Sequence, residues 1–302
     1  MSSGDLAADR RFDYARNLQL RGDLAAASEL FQQAVELAPG FASAWFALGD
    51  LSEKQGDSAG AVAAFGRARD ADLRDRNGAA LRLMRLGAAQ LAPMSPGYVS
   101  MLFDQYAPRF EAALVGDLGY RGPALLFKAV LSVRASARKP AFFKRAIDLG
   151  CGTGLAARAF AAHTGRVVGI DLSAGMIAQA RATGLYAELD VADAVDGLRR
   201  RADGSADLVL AADMMIYLHD LAPLLREAAR VLAPGGLLAF TAETHEGDGV
   251  ILGAGLRYAQ SASYLRALIA GVGLTLLHCD DASIRSENNA PVPSLVLVAA
   301  KP

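Results

Sequence analysis

Residues 146–154, AIDLGCGTG, decide the fold. An apolar, strand-length run ends in Asp148, and Gly150, Gly152 and Gly154 follow before a helical pattern over 155–162. Glycines at that spacing let the backbone turn tightly and let a ligand approach without a Cβ in the way. The strand-then-helix rhythm continues downstream. RVVGID precedes a helix over 174–181, LYAEL one over 194–201, ADLVLAA one over 221–232 and GGLLAFTAE one over 263–270. TLLHC and SLVLVAA then stand close together, with only the polar loop DDASIRSENNAPVP between them. No helical crossover fits in that loop, so the pair is antiparallel. The expected fold is α/β, a Rossmann-like and mostly parallel seven-stranded sheet with an antiparallel C-terminal hairpin.

Upstream the rhythm is different. Gly22, Asp23, Ala27, Phe31 and Ala34 recur as Gly56, Asp57, Ala61, Phe65 and Ala68, each pair 34 residues apart. This is the small/large pattern of the tetratricopeptide repeat, whose small residues let paired antiparallel helices come close. Two repeats are expected over about 8–74, with an amphipathic capping stretch at 77–90, making an all-α domain at 8–92. LAPMSPGYVS reads as a turn-rich linker. Beyond it Leu102, Phe103, Tyr106 and Phe110 share one helical stripe interrupted by Pro108. Linker and lid helices are therefore expected over 93–140, and the α/β domain over 141–302.

Composition removes whole classes of function. Of 302 residues, 53% are hydrophobic and 21% charged, which suits packed cores and excludes a disordered chain. Thirty-one Lys and Arg against 32 Asp and Glu leave a formal charge of −1, so no nucleic-acid partner is expected. Two cysteines, Cys151 and Cys279, fit a reduced cytoplasm better than a disulfide scaffold. The start MSSGDLAADRRF has no apolar leader and no run of 18 apolar residues exists, so neither secretion nor a membrane span is expected.

The glycine turn can be asked what it would bind. A dinucleotide fingerprint needs glycine where Leu155 stands, and a phosphate loop needs a Lys-Ser/Thr pair that is missing. Asp148 would repel a pyrophosphate but attract a ligand carrying an ammonium and a sulfonium. S-adenosylmethionine carries both. Asp171 ends the second strand, where it can accept both ribose hydroxyls. Met176 is placed to cover an adenine face, and Asp193 to accept the adenine amino proton. His163 and His278 have no partners at metal-ligand spacing, so no metal is expected.

AIDLGCGTG, GIDLSAGMIAQAR, VADA, ADLVLAADMMIYL and ARVLAPGGLLAF together resemble the class I S-adenosylmethionine-dependent methyltransferases. More narrowly, FDQYAPRFEAALVGDLGYRGP and RYAQSASYLRALIAGVGL are similar to segments of predicted methyltransferases with N-terminal tetratricopeptide repeats. The resemblance covers about 10–302. It implies that Asp148, Gly150, Gly152 and Gly154 hold the methionine moiety, Asp171 the ribose, and Met176 with Asp193 the adenine. Leu172 and Ala211 complete the cofactor-binding set, and Tyr106 and Phe110 belong to a lid over the methyl end.

Methyl transfer is an in-line displacement in which the cofactor brings the electrophile and the protein brings alignment and dryness. If the acceptor must lose a proton, Asp213, Tyr217 and His219 after the fourth strand are the candidate catalytic residues, and His245 after the fifth is a further one. The expected acceptor is a small or lipid-like molecule. The alternatives are a protein partner docked by the repeats, or a non-catalytic cofactor-sensing module. Self-association through the repeats is a further expectation, since two repeats bury little alone.

Overall fold

The computed structural model describes residues 2–111, 116, 119–287 and 289–302. It divides into two compact units, Met1–Tyr98 with Ala254–Leu256, and Val99–Gly253 with Arg257–Pro302.

The first unit is all-helical. Helices α1 (Leu6–Leu20), α2 (Leu24–Leu37), α3 (Ala42–Lys54) and α4 (Ser58–Ala71) run as two successive pairs, followed by a short α5 (Ala79–Arg85). The 34-residue recurrence is structural. Asp23 caps α2 by accepting from the Ala26 N–H at 3.2 Å, and Asp57 caps α4 through the Gly60 N–H at 2.9 Å. The glycines before them, Gly22 and Gly56, turn the chain with φ of 86° and 80°, a region closed to most side chains. Phe31 and Phe65 are fully buried beneath their pairs. Helix α5 is tied to α3 by Arg82, which reaches Asp50 at 2.7 Å and Glu53 at 3.0 Å. It is shorter than the expected 77–90, because Gly87 adopts a left-handed φ of 71° and stops it.

The segment expected as a linker is half helix. Helix α6 (Pro96–Tyr106) starts inside LAPMSPGYVS, with Pro96 at the first helical position where its fixed φ helps and its missing N–H costs nothing. Pro108 then tightens the chain into a single 3-10 turn, Ala107–Arg109. Helix α7 (Gly122–Ser136) leads into the sheet. Residues 112–115, 117 and 118, part of the expected lid segment, lie outside the described residues.

The second unit is built on strands β1 (Phe143–Leu149), β2 (Thr164–Asp171), β3 (Glu188–Val191), β4 (Ala206–Ala211), β5 (Leu232–Glu243), β6 (Val250–Leu252), β7 (Tyr258–Gln260), β8 (Thr275–Glu287) and β9 (Ala290–Ala300). Strands β3, β2, β1, β4 and β5 lie side by side in parallel. β9 joins β5 antiparallel and β8 joins β9 antiparallel, as expected for the closing pair. Among the described residues the sheet has nine strands rather than seven. The additions are the three-residue strands β6 and β7, which form a hairpin attached to the end of β5 through Glu243 and Ala259. Strands that short carry no readable alternation. The presumed polar loop is also mostly strand, because β8 runs on to Glu287. A register shift between Ser283 and Ser286 turns two consecutive residues inward, the apolar Ile284 and the charged Arg285, and so breaks the period-2 pattern. β3 begins at Glu188, so Tyr186 of the expected strand LYAEL lies just before it.

Helices α8 (Leu155–Phe160), α9 (Ala174–Ala182), α10 (Ala194–Arg199), α11 (Ala222–Val231) and α12 (Ala262–Gly271) complete the unit. Alternate strand residues feed opposite faces. Ile147, Leu149, Val209 and Ala211 join Leu224, Leu225 and Ile269 on one side; Ala146, Leu208 and Leu210 join Leu126, Val130 and Phe160 on the other. Two packed layers thus fix the carboxyl ends of β1, β2 and β4 along one rim, where open α/β sheets bind ligands.

Candidate active site

The turn after β1 holds three left-handed glycines in a row of alternate positions, Gly150 at φ 60°, Gly152 at 53° and Gly154 at 97°. A Cβ on Gly150 would lie 2.6 Å from Met214 Cγ, so both backbone shape and space demand glycine there. A Cβ on Gly152 would meet Phe110 of the lid segment at 3.7 Å, ordinary contact, so that glycine is set by conformation.

Two carboxylates bracket this turn. Asp148, 1% exposed, accepts the Tyr186 hydroxyl on Oδ2 at 2.7 Å. Its Oδ1 is buried without a hydrogen bond of its own, and so is the hydroxyl of Thr153 in the turn. Burial pushes the Asp148 carboxyl up to about 7, the Tyr186 hydroxyl resisting and the Asp171 charge adding to the rise. Asp171 accepts the Gly152 N–H at 2.9 Å and the Ser173 N–H at 2.8 Å, which locks the end of β2 to the glycine turn. Its carboxyl is also raised, mainly by burial. Each oxygen retains a second lone pair for a ligand hydroxyl.

The segment expected as a lid reaches the same rim. Asp104 of α6 accepts from the Ser173 hydroxyl at 2.5 Å and the Gly175 N–H at 2.9 Å. Phe103 packs edge-on against Tyr217 with ring centres 5.2 Å apart, and against Phe110 at 6.1 Å. Tyr106 is 40% exposed, with the Arg109 guanidinium over its ring. Met176 is buried in the first turn of α9, Leu172 is half-buried beside Asp171, and Ala211 is buried at the end of β4. Asp193 caps α10, accepting the Val195 N–H at 2.8 Å.

At the end of β4 and β5 the chemistry differs. Asp213 has a left-handed φ of 58°, and its N–H donates to Thr241 Oγ1 at 2.8 Å. Its side chain takes a hydrogen bond from Arg285, which also donates to Glu243 and, at 2.9 Å, to Glu287. Arg257 donates to the same Glu243 at 2.7 Å and to Glu287. Burial raises the Asp213 carboxyl to about 6 against the pull of Arg285. Burial works the same way on Glu287, but the two guanidiniums hold it below the usual range. The residues of this cluster other than Asp213 escape a sequence reading, because Arg285 meets Asp213 across 72 positions and Glu243 across 42, and Arg257 meets Glu287 across 30. The one hint was a lone Arg in the stretch read as loop.

Tyr217 ends a 3-10 turn and His219 packs edge-on against the buried Tyr258 at 5.6 Å. His245 serves its own loop, accepting the Gly247 N–H at 3.1 Å. No group of three or more metal-binding side chains exists among the described residues, and no described helix is long and apolar enough to cross a membrane. The buried, cation-free Asp148 and the partnerless Thr153 hydroxyl beside three left-handed glycines fit the ammonium end of S-adenosylmethionine.

Comparison with known proteins agrees. Residues 147–240 match the family described as a methyltransferase domain. The ubiquinone biosynthesis O-methyltransferase of Xanthomonas oryzae pv. oryzae (strain PXO99A) is 33% identical over 123 residues, 39% of this chain and 52% of that protein. The chain thus spans about half the length of the curated relatives it matches. A chain from the complex of the Haloferax volcanii Trm112 methyltransferase activator with a methyltransferase superposes with a TM-score of 0.53 at 22% identity, covering 66% of this chain and 97% of that one. The 1,6-didemethyltoxoflavin-N1-methyltransferase of Burkholderia thailandensis, solved with S-adenosylhomocysteine, gives 0.51 at 18% identity over 71% of this chain and 92% of that one. At those identities the two structures speak for the fold alone. Residues 147–240 of the α/β unit thus match a methyltransferase domain, and S-adenosylmethionine is the cofactor that its site fits.

Proposed function

We propose that this protein transfers the methyl group of S-adenosylmethionine to an oxygen of a small-molecule acceptor. The observation that carries the proposal is the carboxylate of Asp148, buried beside the glycine turn with one oxygen unpartnered and no guanidinium or ammonium among the described residues bonded to it. The oxygen acceptor is supported by the similarity to ubiquinone biosynthesis O-methyltransferases.

In this reading Asp148 with Gly150, Gly152 and Gly154 takes the methionine end, Asp171 the ribose, and Leu172, Met176, Asp193 and Ala211 frame the adenine and the sulfur side. When bound, S-adenosylmethionine supplies an electrophilic methyl. The protein supplies position and dryness. The lid segment, held to α9 by Asp104 and to the end of β4 by the Phe103–Tyr217 contact, keeps water from the cleft, with Tyr106 and Phe110 in the same segment. Asp213, buried and titrating at about 6, takes the acceptor proton on its carboxylate, oriented by Arg285. Tyr217 and His219 line the same end and orient the acceptor. The recurrence at 34 residues supports α1–α4 as two tetratricopeptide repeats that mediate self-association or hold a protein partner.

Calorimetric titration of the full chain with S-adenosylmethionine and with NAD tests the proposal. Saturable heat with the first and none with the second is expected. Binding of NAD alone, or of neither, would overturn it.

A further inference from the structure

Tyr186 belongs to none of the motifs that mark the site. It stands just ahead of β3, on a different element from the glycine turn, yet its hydroxyl donates to Asp148 Oδ2 at 2.7 Å. Its ring lies under the turn. A Cβ on Gly154 would meet Tyr186 Cε2 at 3.3 Å, and one on Gly169 of β2 would fall 2.9 Å from the ring. Gly154 and Gly169 thus leave the room that the tyrosine fills. The other side chains around Asp148 do not hold its charge. Cys151 is a buried thiol pushed upward by burial and by Asp148 itself, Asp171 is a like charge on the neighbouring strand, and Tyr120 ahead of α7 is a neutral phenol raised well above its ordinary range by burial. The Ala157 N–H of α8 also favours the charged form, as a smaller contribution than the Tyr186 hydroxyl. The bound hydroxyl fixes one oxygen and leaves the other, Oδ1, facing no partner.

We infer that Tyr186 is a positioning residue of the methyltransferase site, holding the Asp148 carboxylate ionised and oriented so that Oδ1 accepts the ammonium of the cofactor's methionine moiety. The inference rests on the cofactor reading above. Without the tyrosine hydroxyl, a carboxylate buried among a thiol, a phenol and a second carboxylate takes up a proton and loses its attraction for a cation. The burial that already raises Asp148 to about 7 makes that loss fall within the neutral range.

The test is calorimetry on the full chain, wild type and Tyr186→Phe, with two ligands, across roughly one pH unit either side of the Asp148 midpoint of about 7. S-adenosylhomocysteine carries the ammonium; 5′-methylthioadenosine has the same nucleoside but no amino acid. Wild-type affinity for S-adenosylhomocysteine is expected to fall as pH drops through about 7. In Tyr186→Phe that fall is expected to begin at higher pH, with affinity about tenfold weaker near neutrality, the scale of a hydrogen bond to a charged group. Binding of 5′-methylthioadenosine stays within about twofold, because the lost hydroxyl acts through Asp148, which serves only the amino-acid end. In an Asp148→Asn background the Tyr186→Phe change adds no further loss. Equal weakening of both ligands would make Tyr186 mere scaffold, and an unmoved pH profile would remove it from the site; either overturns the inference. Wild-type protein that binds neither ligand would instead overturn the methyltransferase reading itself.

Discussion

Asp148 and Asp213 sit at the ends of neighbouring parallel strands, both buried, and the protein treats them in opposite ways. Asp213 is answered from within, by Arg285, whose guanidinium is 3% exposed and also serves Glu243 and Glu287. Asp148 is answered only by neutral groups among the described residues, the Tyr186 hydroxyl and the Ala157 N–H. The consequence shows in their proton affinities, about 6 for Asp213 and about 7 for Asp148, although burial drives both upward. A buried charge left without an internal partner is expensive, and proteins keep such groups where a ligand completes them. The Asp213 end is closed, neutralised by a guanidinium of the chain; at the open Asp148 end no cation among the described residues does so, which is where the proposed cofactor places its ammonium.

Breaking the closed end is expected to have the largest effect. Arg285→Met leaves Asp213 and Glu243 buried beside the remaining Arg257, and loss of one partner from a buried ion pair costs about 3–5 kcal/mol. Thermal unfolding should show a Tm lower by roughly 10 °C for a domain of this size. Affinity for S-adenosylhomocysteine should change little. A stable variant with lost cofactor binding would reverse the assignment of the two ends.

Breaking the open end acts on binding instead. Gly152→Val places a β-branched residue at φ 53°, strained by roughly 1–3 kcal/mol, and directs its side chain toward Phe110 and the cleft. Cofactor affinity measured by calorimetry should drop about a hundredfold, roughly 3 kcal/mol, in a chain whose circular dichroism is unchanged. Retained affinity would take the glycine turn out of the site.

Asp148→Asn separates the two ends more finely, because binding and stability should move in opposite directions. Asp148 is raised from 3.8 to about 7 in the folded chain, so the folded state holds its proton more tightly than the unfolded one. That preference makes the wild type lose stability as pH rises from about 4 to about 7, by at most roughly 4 kcal/mol. The asparagine variant lacks this loss. Above about pH 7 it should melt higher than wild type while binding S-adenosylhomocysteine about thirtyfold less tightly, roughly 2 kcal/mol. Wild-type stability that is flat over that range would show that Asp148 is already neutralised by the chain.

The sequence read far better at the open end than at the closed one, for a physical reason. Asp148, Gly150, Gly152, Gly154 and Asp171 lie within 24 consecutive residues, on two adjacent strand–turn–helix units whose local patterning is strong. Arg285 meets Asp213 across 72 residues and Glu243 across 42, through a bulged strand that broke the alternation and passed for loop. Tyr186 failed to register because a lone tyrosine at a strand end reads as core. The helical pairs were legible from their repeat alone, since capping Asp23 and Asp57 and buried Phe31 and Phe65 are local features. Where α6 starts was not, because Pro and Ser mark a turn and a helix start equally well.

A smaller effect sharpens the picture of catalysis. Once an acceptor is found, the rate should rise with pH through about 6 as Asp213 ionises, and Asp213→Asn should flatten that limb and lower kcat about a hundredfold. Tyr217→Phe and His219→Ala should cost only several-fold, by loss of orientation. An unchanged profile in Asp213→Asn would move the proton-accepting role to another group or dispense with it.

The most direct test is a crystal structure of the full chain with S-adenosylhomocysteine. The ligand's ammonium is expected within hydrogen-bond distance of Asp148 Oδ1 and its ribose hydroxyls on Asp171, with the Arg285 cluster untouched. A ligand lodged elsewhere, or an Asp148 Oδ1 still unpartnered beside it, would contradict the claim that this buried carboxylate exists for a cationic methyl donor.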